Sequence, residues 1–129
     1  MDLKLVFRIS AVIAAINGLG LLFMTATFFA MANLTISPEL ITVGQFTGVT
    51  ILFLALVEWR IPDIAGNALS SLGQLWAIGN ALWFLIVGYH IVAGKAGGAT
   101  GYFNLAFFAI FAVLFYICLL YTSPSPRDS

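Results

Sequence analysis

The sequence predicts an all-α protein, a transmembrane antiparallel four-helix bundle in one domain of residues 1–117. Four apolar runs contain no Asp, Glu, Lys or Arg, and they cover approximately residues 9–32, 40–57, 68–92 and 102–120. Crossing about 30 Å of hydrocarbon takes about 20 helical residues, so each run is long enough to span a bilayer. The chain is 62% hydrophobic and 8% charged, whereas soluble domains carry about 25% charged residues.

The first run is interpreted as an uncleaved span. Lys4 and Arg8 resemble the positive region of a secretory signal, and residues 30–32 (AMA) resemble a small-residue cleavage site. That alternative is disfavoured because the run has about 24 residues, whereas the apolar core of a signal peptide has roughly 7–15.

Local signals mark the ends of the other runs. Residues 37–39 (SPE) supply an N-cap, a proline for the first helical position and an acidic side chain at the positive helix end. Residues 59–63 (WRIPD) are expected to stop the second helix, and the glycines of residues 94–101 are expected to form the third loop. Short loops make neighbouring helices antiparallel.

The distribution of Lys and Arg predicts the orientation. The N-terminus and the second loop share one side and hold Lys4, Arg8 and Arg60, whereas the opposite side holds only Lys95. Because positively charged segments stay in the cytoplasm, both termini are expected there, with the lipid bilayer as the main partner.

Small residues predict where the helices touch. Lipid is as apolar as Leu, so helices in a bilayer associate where small side chains allow close approach. The expected helix-packing residues are Gly18, Gly44, Gly48, Gly73 and Ala109. These positions are interpreted as seams within one chain, and the alternative is a homodimer through the GxxxG of Gly44 and Gly48.

A polar and aromatic stripe on the third span defines a candidate ligand-binding site. Its residues follow a 4-3-4-3 spacing, which places them on one helix face. Together with amides from the first two spans, the candidates are Asn17, Gln45, Trp76, Asn80, Trp83 and His90. Asn17 and Asn80 could pair across helices. In the alternative interpretation, amides fix the helix register and the Trp residues face lipid or pack as core.

Glu58 lies at the expected cytoplasmic end of the second span. It is interpreted as a solvated anchor that pairs with Arg8, Lys4 or Arg60, which contributes little to stability. The alternative is a carboxyl drawn into the bundle, where it could carry protons.

The composition disfavours several functions. With zero formal net charge, the chain offers no basic surface for nucleic acid. One Cys and one His exclude a disulfide framework and a His/Cys metal cluster. No nucleophile–base pair or phosphate-binding loop stands out, so we expect no catalytic residue and no cofactor, and enzymatic activity is disfavoured.

Several segments resemble uncharacterised bacterial four-span proteins of the broad DoxX-like and DUF4345-like kind. They are residues 45–48 (QFTG), 54–60 (LALVEWR), 101–104 (GYFN) and 114–116 (LFY). The resemblance implies a bacterial inner-membrane protein, and some DoxX-like proteins are subunits of quinone-linked sulfur oxidoreductases. The polar end, residues 118–129, resembles translated sequencing-adapter read-through and is expected to be non-native or disordered.

The sequence is compatible with three functions. The first is a non-enzymatic bundle, alone or as a subunit of a membrane complex. The second is a binder or carrier of a small hydrophobic or aromatic molecule, such as a quinone or lipid, and the third is an accessory subunit of a quinone-linked oxidoreductase. A cavity beside Asn80, lined by Trp76 and Trp83, would favour the second, and a closed core would favour the first.

Overall fold

The structure is a computed structural model that describes residues 2–121, and within that range the chain forms helices and no strand. Its α-helices are α1 (Leu3–Phe23), α2 (Thr25–Ala30), α3 (Pro38–Ile64), α4 (Leu69–Val92) and α5 (Gly98–Tyr121). All but the short α2 are long and apolar enough to cross a membrane. The predicted all-α bundle with four candidate spans is therefore confirmed.

The first helix begins earlier than predicted. The apolar run of residues 9–32 was expected to be one span, but α1 already begins at Leu3. The Asp2 side chain accepts a hydrogen bond from the Leu5 N–H at 2.9 Å and caps the helix. The residues around Lys4 are consequently part of the helix.

The same run is broken near its end. Met24 has φ −127° and ψ 46°, which are not helical angles, so α1 ends and the short α2 follows. At the break, the Thr25 hydroxyl donates a hydrogen bond to the Leu21 carbonyl oxygen at 2.6 Å. A backbone oxygen inside an apolar layer needs such a partner, because no water is there to supply one.

α3 begins as predicted and ends later. The Ser37 hydroxyl accepts a hydrogen bond from the Leu40 N–H at 3.1 Å, which confirms the predicted N-cap. The expectation that residues 59–63 stop the helix is wrong, since α3 continues through Pro62 to Ile64. A proline removes one backbone hydrogen bond from a helix interior, yet the helix passes through Pro62, which is buried.

α4 matches the third predicted run, whereas α5 begins four residues before the fourth. Gly98 opens α5 with φ +64°. A Cβ there would lie 2.2 Å from the Met31 carbonyl oxygen, so only glycine fits. The helix continues to Tyr121 and includes the buried Cys118, where the predicted tail begins. The rest of that tail, residues 122–129, lies outside the described residues.

The long helices pack as two pairs, α1 with α3 and α4 with α5. In the first pair, two predicted packing residues bring the backbones into contact. A Cβ on Gly48 would lie 2.8 Å from the Leu22 backbone nitrogen and 3.1 Å from the Gly18 carbonyl oxygen. Only glycine permits this approach, which is how helices associate without a hydrophobic driving force.

The other predicted packing residues are also covered by the same chain. Gly44 faces α2, where a Cβ would meet Phe29 at 2.4 Å. A Cβ on Gly73 would lie 2.8 Å from a methyl group of Leu3, and Ala109 is half-buried on α5. The GxxxG face of α3 is thus occupied within the chain.

The two pairs meet at both ends of the bundle. At one end, the Phe7 ring lies 5.6 Å from the Trp76 ring and 4.8 Å from the Phe115 ring, measured between centroids. The other buried members of this aromatic core are Leu3, Val6, Ile61, Phe107, Phe111 and Cys118. At the opposite end, the Gly97 N–H donates to the Ala32 carbonyl at 2.8 Å and ties the two loops together.

Gly48→Ala tests the α1–α3 contact. Because the new Cβ would collide with backbone atoms, we expect the free energy of unfolding to fall by about 1–3 kcal/mol. Gly79→Ala is the matched control, since a Cβ there meets no atom within 4 Å. Thermal unfolding in detergent checks this, and equal melting temperatures for the two variants would show that α1 and α3 do not touch at Gly48.

Candidate ligand-binding cavity

A cavity of about 340 Å³ lies between the α1–α3 pair and the α4–α5 pair. All five helices contribute to its wall, which is mostly apolar. Thr47 and Glu58, eleven residues apart on α3, both line it, so it extends about 16 Å along the helix axis. The cavity exists because each pair packs tightly within itself while the two pairs join mainly at their ends.

The cavity is open on one side, between α3 and α4. These two helices hardly touch each other. Leu54 of α3 and Leu75 and Trp83 of α4 line the cavity, and they are also 44%, 59% and 51% exposed on the outer surface. In a bilayer this side faces lipid, so a molecule dissolved in the hydrocarbon could reach the interior without passing through water.

Glu58 is the one ionisable side chain among the cavity-lining residues of the described chain. It is only 6% exposed, and its Oε1 accepts a hydrogen bond from the Trp76 indole N–H. The buried Ser10 hydroxyl lies beside the same carboxyl. Within residues 2–121, no group forms a hydrogen bond with Oε2. An unsatisfied carboxyl oxygen in an apolar interior is costly.

The interpretation of Glu58 as a solvated anchor is wrong, and so is its expected pairing with Arg8. Instead, the Arg8 Nη2 lies 2.7 Å from the Asp63 Oδ1 and forms an ion pair with it. Arg8 also donates a hydrogen bond to the Trp59 carbonyl oxygen, and its guanidinium carbon lies 4.4 Å from the Trp59 ring centroid. The reason is that α3 continues past Pro62. Glu58 and Asp63 lie five residues apart on one helix, about 140° around its axis, so they face different surroundings.

The predicted amides both line the cavity but do not form the expected pair. The Asn80 Nδ2 donates to the Trp76 carbonyl oxygen of its own helix at 2.7 Å, and Asn80 is 7% exposed. Asn17 lines the α1 side of the same cavity. No hydrogen bond joins the two amides among those that the described residues form. Both amides therefore line the same cavity without being paired to each other.

The stripe on α4 reaches the cavity over most of its length. Trp76, Asn80 and Trp83 all line it, and the Trp83 ring stacks on Phe108 with centroids 5.5 Å apart. His90, the last member of the stripe, lies beyond the cavity, half-buried and in contact with the Tyr89 ring. The structure thus brings three of the four α4 candidates together.

Gln45 is exposed on α3 and does not line the cavity. The α3 residues that do are Thr47, Ile51, Leu54 and Glu58. Their 4-3-4 spacing is the same signal of one helix face that identified the α4 stripe. Read from the sequence, it could have placed Glu58 in the site. Asn104 of α5 also lines the cavity and was missed, because it lies within an almost uniformly apolar run that has no polar periodicity.

No protein-family model, curated protein or solved structure matches this chain. The resemblance to DoxX-like proteins therefore stays a prediction. Within residues 2–121, no group of three or more His, Cys, Asp or Glu side chains could hold a metal ion. The cavity is therefore the feature of this chain that bears on its function.

Trp76→Phe tests the contact between α3 and α4. The substitution keeps an aromatic ring beside Phe7 but removes the N–H that satisfies Glu58, so we expect a loss of about 1–3 kcal/mol in unfolding free energy. Trp83→Phe is the control, because Phe retains the stacking on Phe108. Unfolding curves in detergent would contradict this bond if Trp76→Phe is as stable as Trp83→Phe.

Proposed function

We propose that this membrane protein binds, and in its cellular setting carries, an elongated and mostly apolar molecule taken from the bilayer. The observation that carries this proposal is the cavity between the helix pairs, open between α3 and α4. Ligand cavities in proteins commonly have volumes of about 300–1,000 Å³ and apolar walls with a few polar groups. The wall here has that character.

The arrangement of the wall supports binding more than packing alone. Its polar groups are spaced singly along an apolar surface: the Glu58 carboxyl at one end, Asn17 and Asn80 in the middle, and Asn104 on α5. Such groups orient a ligand while apolar and aromatic side chains supply affinity. A bundle that served only as a structural subunit would fill this space, as the aromatic core does at the end near Phe7.

Trp fluorescence tests the proposal directly. In a Trp59→Phe background both remaining indoles, Trp76 and Trp83, line the cavity. A brominated alkyl compound that occupies the cavity should quench them saturably in bilayer discs. Gly79→Phe should weaken this binding roughly tenfold, because Gly79 lines the cavity and the larger side chain fills it.

Leu82→Phe is the matched control for that experiment, since Leu82 lies on α4, is 61% exposed and is not part of the cavity wall. It adds the same ring on the lipid-facing side, so the quenching curve should not change. If the Gly79 and Leu82 variants give identical curves, the quencher acts from the bulk lipid and the binding function is refuted.

We also propose that the protein lies in a bacterial inner membrane with both termini in the cytoplasm. An even number of candidate spans returns the chain to the side on which it began. Lys4, Arg8 and Arg60 lie towards that side and Lys95 on the other, which matches the excess of Lys and Arg that cytoplasmic segments carry.

Reporter fusions in a bacterium check this orientation. A fluorescent protein that folds only in the cytoplasm should be bright when joined after Asn67, in the turn between α3 and α4. It should be dark when joined after Lys95, between α4 and α5. The opposite result would invert the proposed topology.

A further inference from the structure

We infer that the ligand of this cavity is an amphiphilic amine, whose protonated nitrogen lies against Glu58 Oε2 and whose apolar chain extends along the cavity. The inference rests on the proposed binding function and specifies the chemical class of the ligand. It follows from three features of the cavity: an incompletely paired carboxyl, the absence of a matching cation in the described wall, and the position of the carboxyl at one end.

The carboxyl is held in place by one of its oxygens, and the other oxygen has no hydrogen-bond partner in the described chain. Trp76 donates to Oε1 and thereby fixes the orientation of the Glu58 side chain. Oε2 has no hydrogen-bond partner in residues 2–121, although Glu58 is only 6% exposed. A buried acceptor of this strength requires a donor. Glu58 lines the cavity, and the Ser10 hydroxyl lies beside its carboxyl. Because Oε2 itself has less than 1 Å² of accessible surface, a ligand nitrogen reaches it by displacing the side chains that cover it.

The charges around the site favour a cationic donor. None of the cavity-lining residues within the described range is Lys, Arg or His. Outside the wall, Arg8 is bonded to Asp63 and to the Trp59 carbonyl oxygen, and the Arg60 Nε lies 3.9 Å from the same Asp63 carboxylate. An ammonium group on a ligand would bring both a positive charge and N–H donors to Glu58.

The aromatic wall suits the same group. Trp76 lies beside the carboxyl. An ammonium group near the face of an indole is attracted by the partial negative charge of that face. Beyond it, Trp83 stacked on Phe108 lines the path along which an alkyl chain would extend. A cavity about 16 Å long with its acid at one end has room for one extended chain of moderate length.

Other head groups fit less well. An alcohol or a quinol would donate one hydrogen bond but bring no charge. A fatty acid would place a second carboxylate beside Glu58, and like charges in an apolar site repel strongly. The head group therefore distinguishes an amine from the other amphiphiles that could enter from lipid.

The test is a series of twelve-carbon probes that differ only in the head: dodecylamine, dodecanol and dodecanoate. Each competes with the brominated quencher for the Trp59→Phe protein in discs of phosphatidylcholine, a lipid with no net charge that does not concentrate cations. We expect dodecylamine to displace the quencher at a concentration at least about tenfold lower than dodecanol, because of its charge-assisted bond. Dodecanoate should be the weakest.

Glu58→Gln should remove the advantage of the amine over dodecanol. Saturable quenching of the variant by the brominated compound shows that it folds. Glu39→Gln is the control, since Glu39 lies on the same helix but is exposed and far from the cavity. Its preference for the amine should match that of the parent protein.

The outcomes separate the two proposals. If dodecanol and dodecylamine bind equally to the parent protein, or if Glu58→Gln keeps the preference for the amine, the ligand class is refuted while the binding function stands. If no probe displaces the quencher, the ligand class is refuted, and the comparison of Gly79→Phe with Leu82→Phe decides the binding function. The comparison of head groups in the parent protein decides the ligand class even if Glu58→Gln does not fold.

Discussion

The contact between the backbones of α1 and α3 at Gly18 and Gly48 is the constraint on which the rest of the structure depends. In hydrocarbon, helices gain nothing by burying Leu against Leu, so they associate where glycine lets the backbones approach. A Cβ at either glycine would overlap the opposite helix. α3 packs against α1 along much of its length and contacts α4 little beyond the hydrogen bond from Trp76 to Glu58, so the cavity opens to lipid between α3 and α4.

That space persists because the helix pairs are joined at their ends. At one end, Phe7 inserts between Trp76 and Phe115. At the other, Gly98 brings the start of α5 against Met31, and the Thr100 N–H donates to the Met31 carbonyl oxygen at 3.1 Å. Between these two sets of contacts the helix pairs leave the cavity.

Hydropathy alone predicted the four spans, because the length of an apolar run decides whether it can cross a bilayer. It could not locate the break at Met24, which depends on a backbone angle, or foresee that α3 continues through Pro62. The second error carried over to the site. With α3 ending near residue 59, Glu58 is expected in water beside Arg8; with α3 ending at Ile64, Asp63 takes that position and Glu58 turns inward. The 4-3 spacing on α4 depends on the helical repeat and not on where the helix ends. It correctly placed Trp76, Asn80 and Trp83 on one face, which lines the cavity.

The buried position of Glu58 is not explained by stability. A buried polar pair is often no more stable than well-packed apolar residues of similar volume, and the neighbouring wall of Leu54 and Leu75 shows that an apolar side chain would fit the surroundings. The Trp76 N–H satisfies one carboxyl oxygen and leaves the other without a partner in the described chain. Ionisable side chains within a membrane usually mark a pathway or binding site. A carboxyl fixed at one end of a cavity that opens to lipid fits that role, because it is placed to select the head group of an amphiphile whose chain stays in the apolar part.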